Sequence, residues 1–220
     1  MFYEPKNDDH GLPHNPFKSS TVPRVIGWIS TKNEDGTDNI APYSQFTNVT
    51  YDPPMVMFSA NQHPVTLGDK TTVKNIEHTG EFVYNMVSGD LAEQMNDSSI
   101  AMLPDGVKDK FEYSHLEREQ ATLVDVAMVK ASPIKYLQST HLPANGKIAP
   151  VDVIFGEVIG IHINDDVITD EGKIDIVGIE PVARLGYYDF TKINNSFEML
   201  PPKVDEKYQD LVDKGLEGKL

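Results

Sequence analysis

Short apolar runs bounded by turn-forming residues set the pattern of the first part of the chain. Val25 to Thr31 and Met55 to Ala60 are rich in Val, Ile, Trp, Met and Phe, which favours strands over helices in runs of this length. A third such stretch, Ile40 to Val49, lies between them. Asp35-Gly36 lies between the stretch that ends at Thr31 and the one that begins at Ile40, and Gly tolerates the positive φ that a tight turn needs. The pattern therefore predicts three strands, of which the first two form a hairpin.

The middle of the chain changes to a helical pattern. Asp69 is expected to cap a helix that runs through Thr79, with Gly80 just past its end. Strand character returns at Glu81 to Val87. Leu91 to Leu103 then predicts a second helix, which a Pro-Asp-Gly turn follows.

Two long apolar stretches in the later half predict further strands. They are Ile134 to His141 and Val151 to Ile163. Gly156 and Gly160 interrupt the second stretch, and glycines inside a strand predict bends of the kind that a barrel needs where its strands change direction.

A chain with mostly strands and two helices is typical of a mainly β protein. We therefore predict a barrel with flanking helices and not alternating strand–helix units. Residues 1–20 contain three prolines and little periodicity, which predicts an extended arm that lies on the body or on a partner. Residues 21–200 are expected to form the single barrel domain. Residues 201–220 are expected to be a tail or a short helix.

Charge and cysteine content narrow the possible functions. The net charge of −15 and the pI near 4.7 argue against a nucleic-acid surface, which needs a basic stripe. Neither a membrane span nor a signal peptide is predicted, so a cytoplasmic location is expected. The absence of cysteine excludes disulfides, iron–sulfur clusters and thiolate nucleophiles. Any redox chemistry therefore has to come from a cofactor.

Two segments carry candidate binding chemistry. Residues 39–48 mix amide and hydroxyl side chains with Pro, Tyr and Phe, which suits a flat heteroaromatic ligand with apolar faces and a polar edge. Lys70, Thr71 and Thr72 fall in the first turn of the predicted helix, where unpaired N–H groups and the helix dipole attract an anion. These residues alone leave open the alternative of an ordinary solvated helix start.

Five motifs appear in an order that resembles the flavin reductase-like family, whose fold is an antiparallel, FMN-binding split β-barrel. They are Pro23-Arg24-Val25, Thr31, Asp35-Gly36, the segment Asn39-Ile40-Ala41-Pro42-Tyr43-Ser44-Gln45-Phe46, and Asp52-Pro53-Pro54. Lys70-Thr71-Thr72-Val73-Lys74-Asn75-Ile76 resembles the phosphate-proximal helix of that family. The resemblance runs from about residue 15 to residue 190 and implies FMN as the cofactor, a homodimer, and an oxygenase or redox protein as a further partner.

The resemblance also implies which residues form the site. Arg24 and Trp28 each have an alternative role outside the site. For Arg24 it is a surface ion pair, and for Trp28 it is packing in the core. The implied flavin contacts are Arg24, Trp28, Thr31, Asn39, Ala41, Pro42, Tyr43, Ser44, Ser59, Ala60, Asn61, Lys70, Thr71 and Thr72. His162 and Arg184 are implied on the side of the nicotinamide, with barrel packing as the alternative for His162. No metal site and no obligatory catalytic acid or base is expected.

The implied activity is an oxidoreductase in which NADH or NADPH delivers hydride to N5 of the flavin. The alternative is a flavoredoxin-like electron carrier that holds FMN permanently and has no catalytic turnover of its own. The family's short reductases carry a Gly-Asp-His triplet that this chain lacks, and its absence favours the alternative. FAD is expected to bind more weakly than FMN if the phosphate end of the pocket is closed.

Overall fold

The computed structural model describes residues 2, 11–63, 66, 68–144 and 151–199. The described residues form strands β1 (Arg24–Val25), β2 (Gly27–Lys32), β3 (Asp38–Tyr43), β4 (Phe46–Tyr51), β5 (Pro54–Asn61), β6 (Glu81–Asn85), β7 (Arg118–Gln120), β8 (Ala127–Val129), β9 (Ile134–Ala144), β10 (Val151–Ile163), β11 (Val182–Gly186) and β12 (Asp189–Lys192). They also form the helices α1 (Thr71–Thr79), α2 (Ala92–Asp97), α3 (Lys110–Tyr113) and α4 (Ile176–Ile179), and single 3₁₀ turns at Pro16–Ser19, Gly89–Leu91 and Asp165–Val167.

One antiparallel sheet of seven strands, in the order β3-β2-β6-β9-β10-β5-β4, forms the body of the molecule. Its two edge strands, β3 and β4, are joined by only Ser44 and Gln45, so the sheet has to curl until its edges meet. The backbone N–H of Ser59 donates to Gln45 O at 3.0 Å and fixes this crossing. The predicted antiparallel split barrel with few helices is confirmed.

Aromatic side chains fill the inside of the curled sheet. Phe46 of β4 stacks on Tyr84 of β6 with ring centroids 4.6 Å apart, and Tyr43 of β3 lies 4.8 Å from Phe58 of β5. Burial of rings of this size stabilises a core by about 1.5–3 kcal/mol each. The contacts join the two edges of the sheet across its interior.

The predicted hairpin between β2 and β3 is confirmed. Gly36 has φ of 80°, and Asn33 N–H donates to Thr37 O at 2.8 Å across the turn. The register of the hairpin places Thr31 directly opposite Asn39.

The predicted bends in β10 are also confirmed. Its pairing with β9 shifts register between Phe155 and Gly156 and again between Val158 and Gly160. A Cβ on Gly156 would lie 2.5 Å from Cζ of Phe82, so glycine also lets the strand approach the core ring closely.

Several predicted elements differ from the structure. Val25 to Thr31 is not one strand, because Val25 belongs to β1, which pairs with β11, whereas Thr31 belongs to β2 of the large sheet. Ile40 to Val49 is not one strand, because the chain crosses from one sheet edge to the other at Ser44 and Gln45. The second helix is α2, which is much shorter than Leu91 to Leu103. It ends at Asp97, and the hydroxyl of the next residue, Ser98, donates to Met95 O at 2.7 Å, a local bond that competes with further helix growth.

The predicted arm is partly within the described residues. From residue 11 onward it lies on its own chain: the His14 ring is 5.3 Å from the Tyr187 ring, and Lys18 O accepts a hydrogen bond from Arg24 Nη1 at 2.9 Å. The predicted tail at 201–220 lies outside the described residues. In the part of the chain that is described, no helix has the length and apolar character needed to cross a membrane.

Gly156→Ala tests the close approach of β10 to Phe82. We expect the free energy of unfolding to fall by about 1–3 kcal/mol, the usual cost of overpacking a core, because the new methyl group would displace a fully buried ring. Urea denaturation measures the change.

Gly160→Ala is the matched control in the same strand, because its Cβ would come closest to the end of the exposed Leu123 side chain, at 3.1 Å, and would meet Leu137 only at the ordinary contact distance of 3.6 Å. Equal losses in the two variants would contradict the assigned role of Gly156.

Candidate functional site

A buried network of polar side chains joins the β2–β3 hairpin to the start of α1. Asn39 Nδ2 donates to Thr31 Oγ1 at 3.1 Å and to Thr72 Oγ1 at 2.9 Å. Asn75 Nδ2, one turn further along α1, donates to the same Thr31 hydroxyl at 2.9 Å. All four residues are buried, so the network fixes the position of the helix start relative to the sheet.

The helix start itself has no side-chain cap. α1 begins one residue later than predicted, with Lys70 and not Asp69 as its N-cap residue. Lys70 O accepts from Val73 N and Lys74 N at 2.9 and 3.1 Å, which leaves the N–H groups of Thr71 and Thr72 without helical partners. Gly80 ends the helix at φ of 71°, as predicted.

A pocket opens at this helix start. Its walls come from β3, from the turns before and at the start of α1, and from the segment between α2 and α3. The lining residues are Asn39, Ala41, Pro42, Tyr43, His63, Lys70, Thr71, Thr72, Ser99, Ile100, Ala101 and Lys110. The pocket therefore brings together seven of the predicted flavin contacts, from two segments that are distant in the sequence.

Tyr43 lines this pocket next to a cation. Lys70 Nζ lies 5.4 Å from the centroid of the Tyr43 ring. Burial raises the pKa of Tyr43 to about 12, an effect that the Thr72 hydroxyl opposes. Thr72 is near enough to the Tyr43 hydroxyl to affect its pKa, but the two groups do not have the geometry of a hydrogen bond, and the Tyr43 hydroxyl has no hydrogen-bond partner among the described residues. An unpartnered buried hydroxyl costs stability unless a ligand pairs with it.

A second cation, Lys110, reaches the pocket from the start of α3. Burial, and then repulsion from Lys70, lower its pKa to about 8, although Lys110 Nζ donates to Ser98 O at 3.1 Å. Burial also lowers the pKa of Lys70. Two lysines that repel each other while partly buried form a site for an anion. Sequence reasoning missed Lys110, because only the fold brings it beside Lys70.

An ion network behind the pocket holds Lys110 in place. Asp109 accepts from Glu112 N at 3.0 Å and so caps α3, and its carboxylate also pairs with Arg118. Arg118 Nε donates to Asp38 at 2.9 Å on β3. The network joins α3 to the hairpin and fixes the distance between Lys110 and the rest of the pocket.

The two predicted phosphate hydroxyls have different surroundings. Thr71 is exposed at the pocket, whereas Thr72 is buried and its hydroxyl accepts the hydrogen bond from Asn39. Thr71 is thus available to a ligand directly, and Thr72 serves mainly to hold the helix start.

Several predicted contacts lie beside the pocket and not in its wall. Ser44 stands at the edge crossing, where its carbonyl accepts from Arg24 Nε at 3.2 Å, so the Arg24 guanidinium is already engaged with backbone. Ser59, Ala60 and Asn61 end β5. Ala60 is part of the core, whereas Asn61 is exposed.

Trp28 packs in a core. It is fully buried, and its Nε1 donates to Ser98 Oγ at 2.9 Å. Its neighbours in this cluster include Ile40, Leu91 and Met95, so it joins β2 to α2. Its structural surroundings favour the packing role that the sequence left open.

His162 and Arg184 lie on different sheets. His162 is opposite Lys135, at the end of β10 away from Asn61, and its Nε2 is 2.9 Å from Thr122 Oγ1. Arg184 of β11 pairs with Arg24 of β1, and its guanidinium lies 4.4 Å from the Phe190 ring. Burial, and then the charge of Arg24, lower the pKa of Arg184. Of the two, only Arg184 is connected to the pocket segment, through Arg24 and Ser44.

Residues 19–189 match the family described as "Flavin reductase like domain". An uncharacterized protein of Aquifex aeolicus (strain VF5) is 36% identical over 173 residues, which cover 76% of this chain and 84% of that protein.

Solved structures share the fold. Nitrilotriacetate monooxygenase component B from Bacillus cereus superimposes with a TM-score of 0.79 at 22% identity and covers 90% of this chain and 99% of its own. The flavoredoxin of Desulfovibrio vulgaris (Miyazaki F) gives a TM-score of 0.68 at 16% identity, with 90% and 99% covered. The match over residues 19–189 and the 36% identity to the Aquifex protein establish that this chain belongs to the flavin reductase-like family.

Proposed function

We propose that the chain binds FMN in the pocket at the start of α1 and works as an oxidoreductase that takes hydride from NADH or NADPH. One observation carries this proposal. Asn39, Ala41, Pro42 and Tyr43 share a single pocket with Lys70 and Thr71, so a surface suited to a flat ring adjoins a cationic helix start. Family membership supports a flavin-dependent redox function.

The phosphate end fits a dianion. The unpaired N–H groups at the start of α1, the Thr71 hydroxyl and the ammonium groups of Lys70 and Lys110 supply donors of the kind that phosphate oxygens accept. The net charge of the whole chain is −15, so this local group of cations is necessary to attract an anion.

The ring end fits an aromatic system with polar edges. Ala41 and Pro42 offer apolar surface, and the unpartnered Tyr43 hydroxyl offers a donor. When bound, the flavin supplies the redox chemistry, because it accepts a hydride and passes electrons on. The chain's own residues hold the ring, bind the phosphate and exclude water.

Arg184 is proposed as the cation that receives the anionic nicotinamide dinucleotide. Its guanidinium forms no ion pair among the described residues, and its Cζ lies over the Phe190 ring, 4.4 Å from the ring centroid. This cation–π contact restricts the position of the guanidinium before a ligand arrives. The expected place of His162 beside the nicotinamide stays a prediction, because the structure connects only Arg184 to the pocket segment.

The second candidate is an electron carrier with permanently bound FMN, which the missing Gly-Asp-His triplet favours. We also propose that the protein is a homodimer, that it is located in the cytoplasm, and that it passes electrons to an oxygenase or a redox protein. The likeness to a monooxygenase component B and to a flavoredoxin is compatible with both candidates.

Anaerobic titration separates the two candidates. The FMN-loaded protein is mixed with NADH or NADPH, and bleaching of the flavin absorbance is recorded. A reductase bleaches at once and turns over when oxygen is admitted. A flavin that bleaches with dithionite but with neither nucleotide identifies the carrier, and a protein that binds no FMN overturns both.

Lys70→Ala tests the phosphate assignment. We expect the Kd for FMN to rise about tenfold or more, because a charge-assisted hydrogen bond contributes about 1.5–3 kcal/mol. Riboflavin, which has no phosphate, is expected to bind the variant and the native protein equally. Quenching of flavin fluorescence measures both affinities.

Lys173→Ala is the control for Lys70→Ala, because it removes an exposed lysine that lies outside the pocket. Equal losses of FMN and riboflavin affinity in Lys70→Ala would place Lys70 at the ring or in the fold.

Lys110→Met tests the electrostatic cost of the empty pocket. The pKa of Lys110 is about 8 in the folded chain and 10.5 when exposed. At a pH between these two values the unfolded chain therefore binds more protons than the folded chain. The stability of the native protein relative to Lys110→Met should therefore increase with pH across this window, by about 2 kcal/mol. Urea denaturation of both proteins without FMN, at the two ends of the window, measures the difference. A difference that stays constant would contradict the shifted pKa.

Arg184→Ala tests the proposed nicotinamide side. We expect KM for the nucleotide to rise about tenfold while kcat changes by less than about twofold, the result of losing binding that is equal in ground and transition states. Steady-state kinetics with each nucleotide checks this, and Arg184→Lys, which keeps the charge, should recover part of the loss. Unchanged nucleotide kinetics in Arg184→Ala would remove this residue from the donor site.

A further inference from the structure

The segment between α2 and α3 forms one wall of the pocket at the start of α1. We call residues 99–108 of this segment the strap. Residues 99–101 of the strap line the pocket, and residues 101–103 line a cleft that adjoins it. A ligand in the pocket therefore lies against the strap.

Both ends of the strap are anchored in the body of the protein. Ser98 is fully buried, its hydroxyl accepts from Trp28 Nε1 at 2.9 Å, and its carbonyl oxygen accepts from Lys110 Nζ at 3.1 Å. At the other end, Asp109 is buried and pairs with Arg118. These two anchors fix where the strap begins and where it ends.

Between the anchors the strap packs only loosely on the body. None of residues 99–108 is buried, and 60% of the Met102 surface is exposed. The turn within the strap is closed by the strap itself, because Val107 N donates to Pro104 O at 3.2 Å. Segments that bury few apolar groups open locally at a low cost in free energy. The strap can therefore move while its two ends stay in place.

A hydrogen bond joins the strap to the segment between β5 and α1, which forms another wall of the pocket. His63 Nε2 lies 3.0 Å from Ala101 O, and both residues line the pocket as well as the adjoining cleft. Nδ1 of the same ring accepts from Thr66 N at 3.2 Å, so Nε2 carries the proton and donates to Ala101 O. Among the described residues, the strap forms no other hydrogen bond to that wall.

We propose that residues 99–108 are a hinged strap over the flavin pocket, that the His63–Ala101 hydrogen bond is its latch, and that flavin enters and leaves when this latch opens. The inference rests on the proposed flavin function and adds to it the control of flavin exchange. A hydrogen bond between neutral groups shifts an equilibrium by only about two- to tenfold, so the strap opens often enough to admit a ligand.

His63→Ala removes the latch. Because the bond closes the strap over the empty and the loaded pocket alike, we expect kon and koff for FMN to rise together, each about three- to tenfold, while Kd changes by less than about twofold. Stopped-flow flavin fluorescence measures uptake, and its recovery after rapid dilution measures release. His63→Gln, whose amide keeps a donor for Ala101 O, should restore part of the native rates. His78→Ala, at an exposed position of α1 outside the pocket, should change neither rate.

A cross-link tests the strap independently of the histidine. The native chain has no cysteine, so His63→Cys/Ala101→Cys introduces the only thiols of the protein. Joining them with a short bis-maleimide after FMN has bound should slow its release at least about tenfold, and joining them before FMN is added should slow its uptake by a similar factor. The two single-cysteine variants, treated with the same reagent, are the controls.

The outcomes separate the latch from the proposed function. Joint increases of kon and koff at constant Kd, with slow exchange after cross-linking, support the strap. A rise in koff alone, with a matching rise in Kd, would make His63 a flavin contact and overturn the latch. Unchanged rates in His63→Ala, or exchange that stays fast after cross-linking, also overturn the inference and leave the proposed function standing. A native protein that binds no flavin overturns the proposed function itself.

Discussion

The site depends on the buried hydrogen-bond network that ties the start of α1 to the β2–β3 hairpin. Asn39 bonds both Thr31 and Thr72, and Asn75 bonds Thr31 from one turn further along the helix. Because polar groups buried without partners cost about 1–3 kcal/mol each, this network permits essentially one position for the helix. That position presents the uncapped N–H groups of α1 next to the ring-binding segment of β3.

The network also explains why the pocket is electrostatically costly in the absence of a ligand. A rigid helix start does not move to relieve the repulsion between Lys70 and Lys110, and burial adds to the cost of both charges. The unpartnered Tyr43 hydroxyl adds a further unfavourable term. An anionic ligand offsets these costs. The empty pocket therefore lowers the stability of the fold at the same residues that bind the ligand.

Local signals in the sequence were sufficient for much of the fold. The Asp35-Gly36 turn fixed the hairpin, and Gly156 and Gly160 marked the bends of β10, because such residues act on their own backbone. The site was only partly predictable. Lys70 and Thr71 were found through the helix start, but the interior position of Thr72, the core position of Trp28 and the arrival of Lys110 all depend on contacts between distant segments. No local pattern reports such contacts.

Phosphorus NMR of bound FMN tests the central claim, that cations at the start of α1 hold the phosphate. A free phosphate monoester takes up its second proton near pH 6, with a clear change in chemical shift. If Lys70, Lys110 and the helix start hold the dianion, the resonance of bound FMN should stay constant from about pH 7 down to about pH 5, because the cations lower the phosphate pKa. A bound resonance that titrates near pH 6, as in free FMN, would contradict this account.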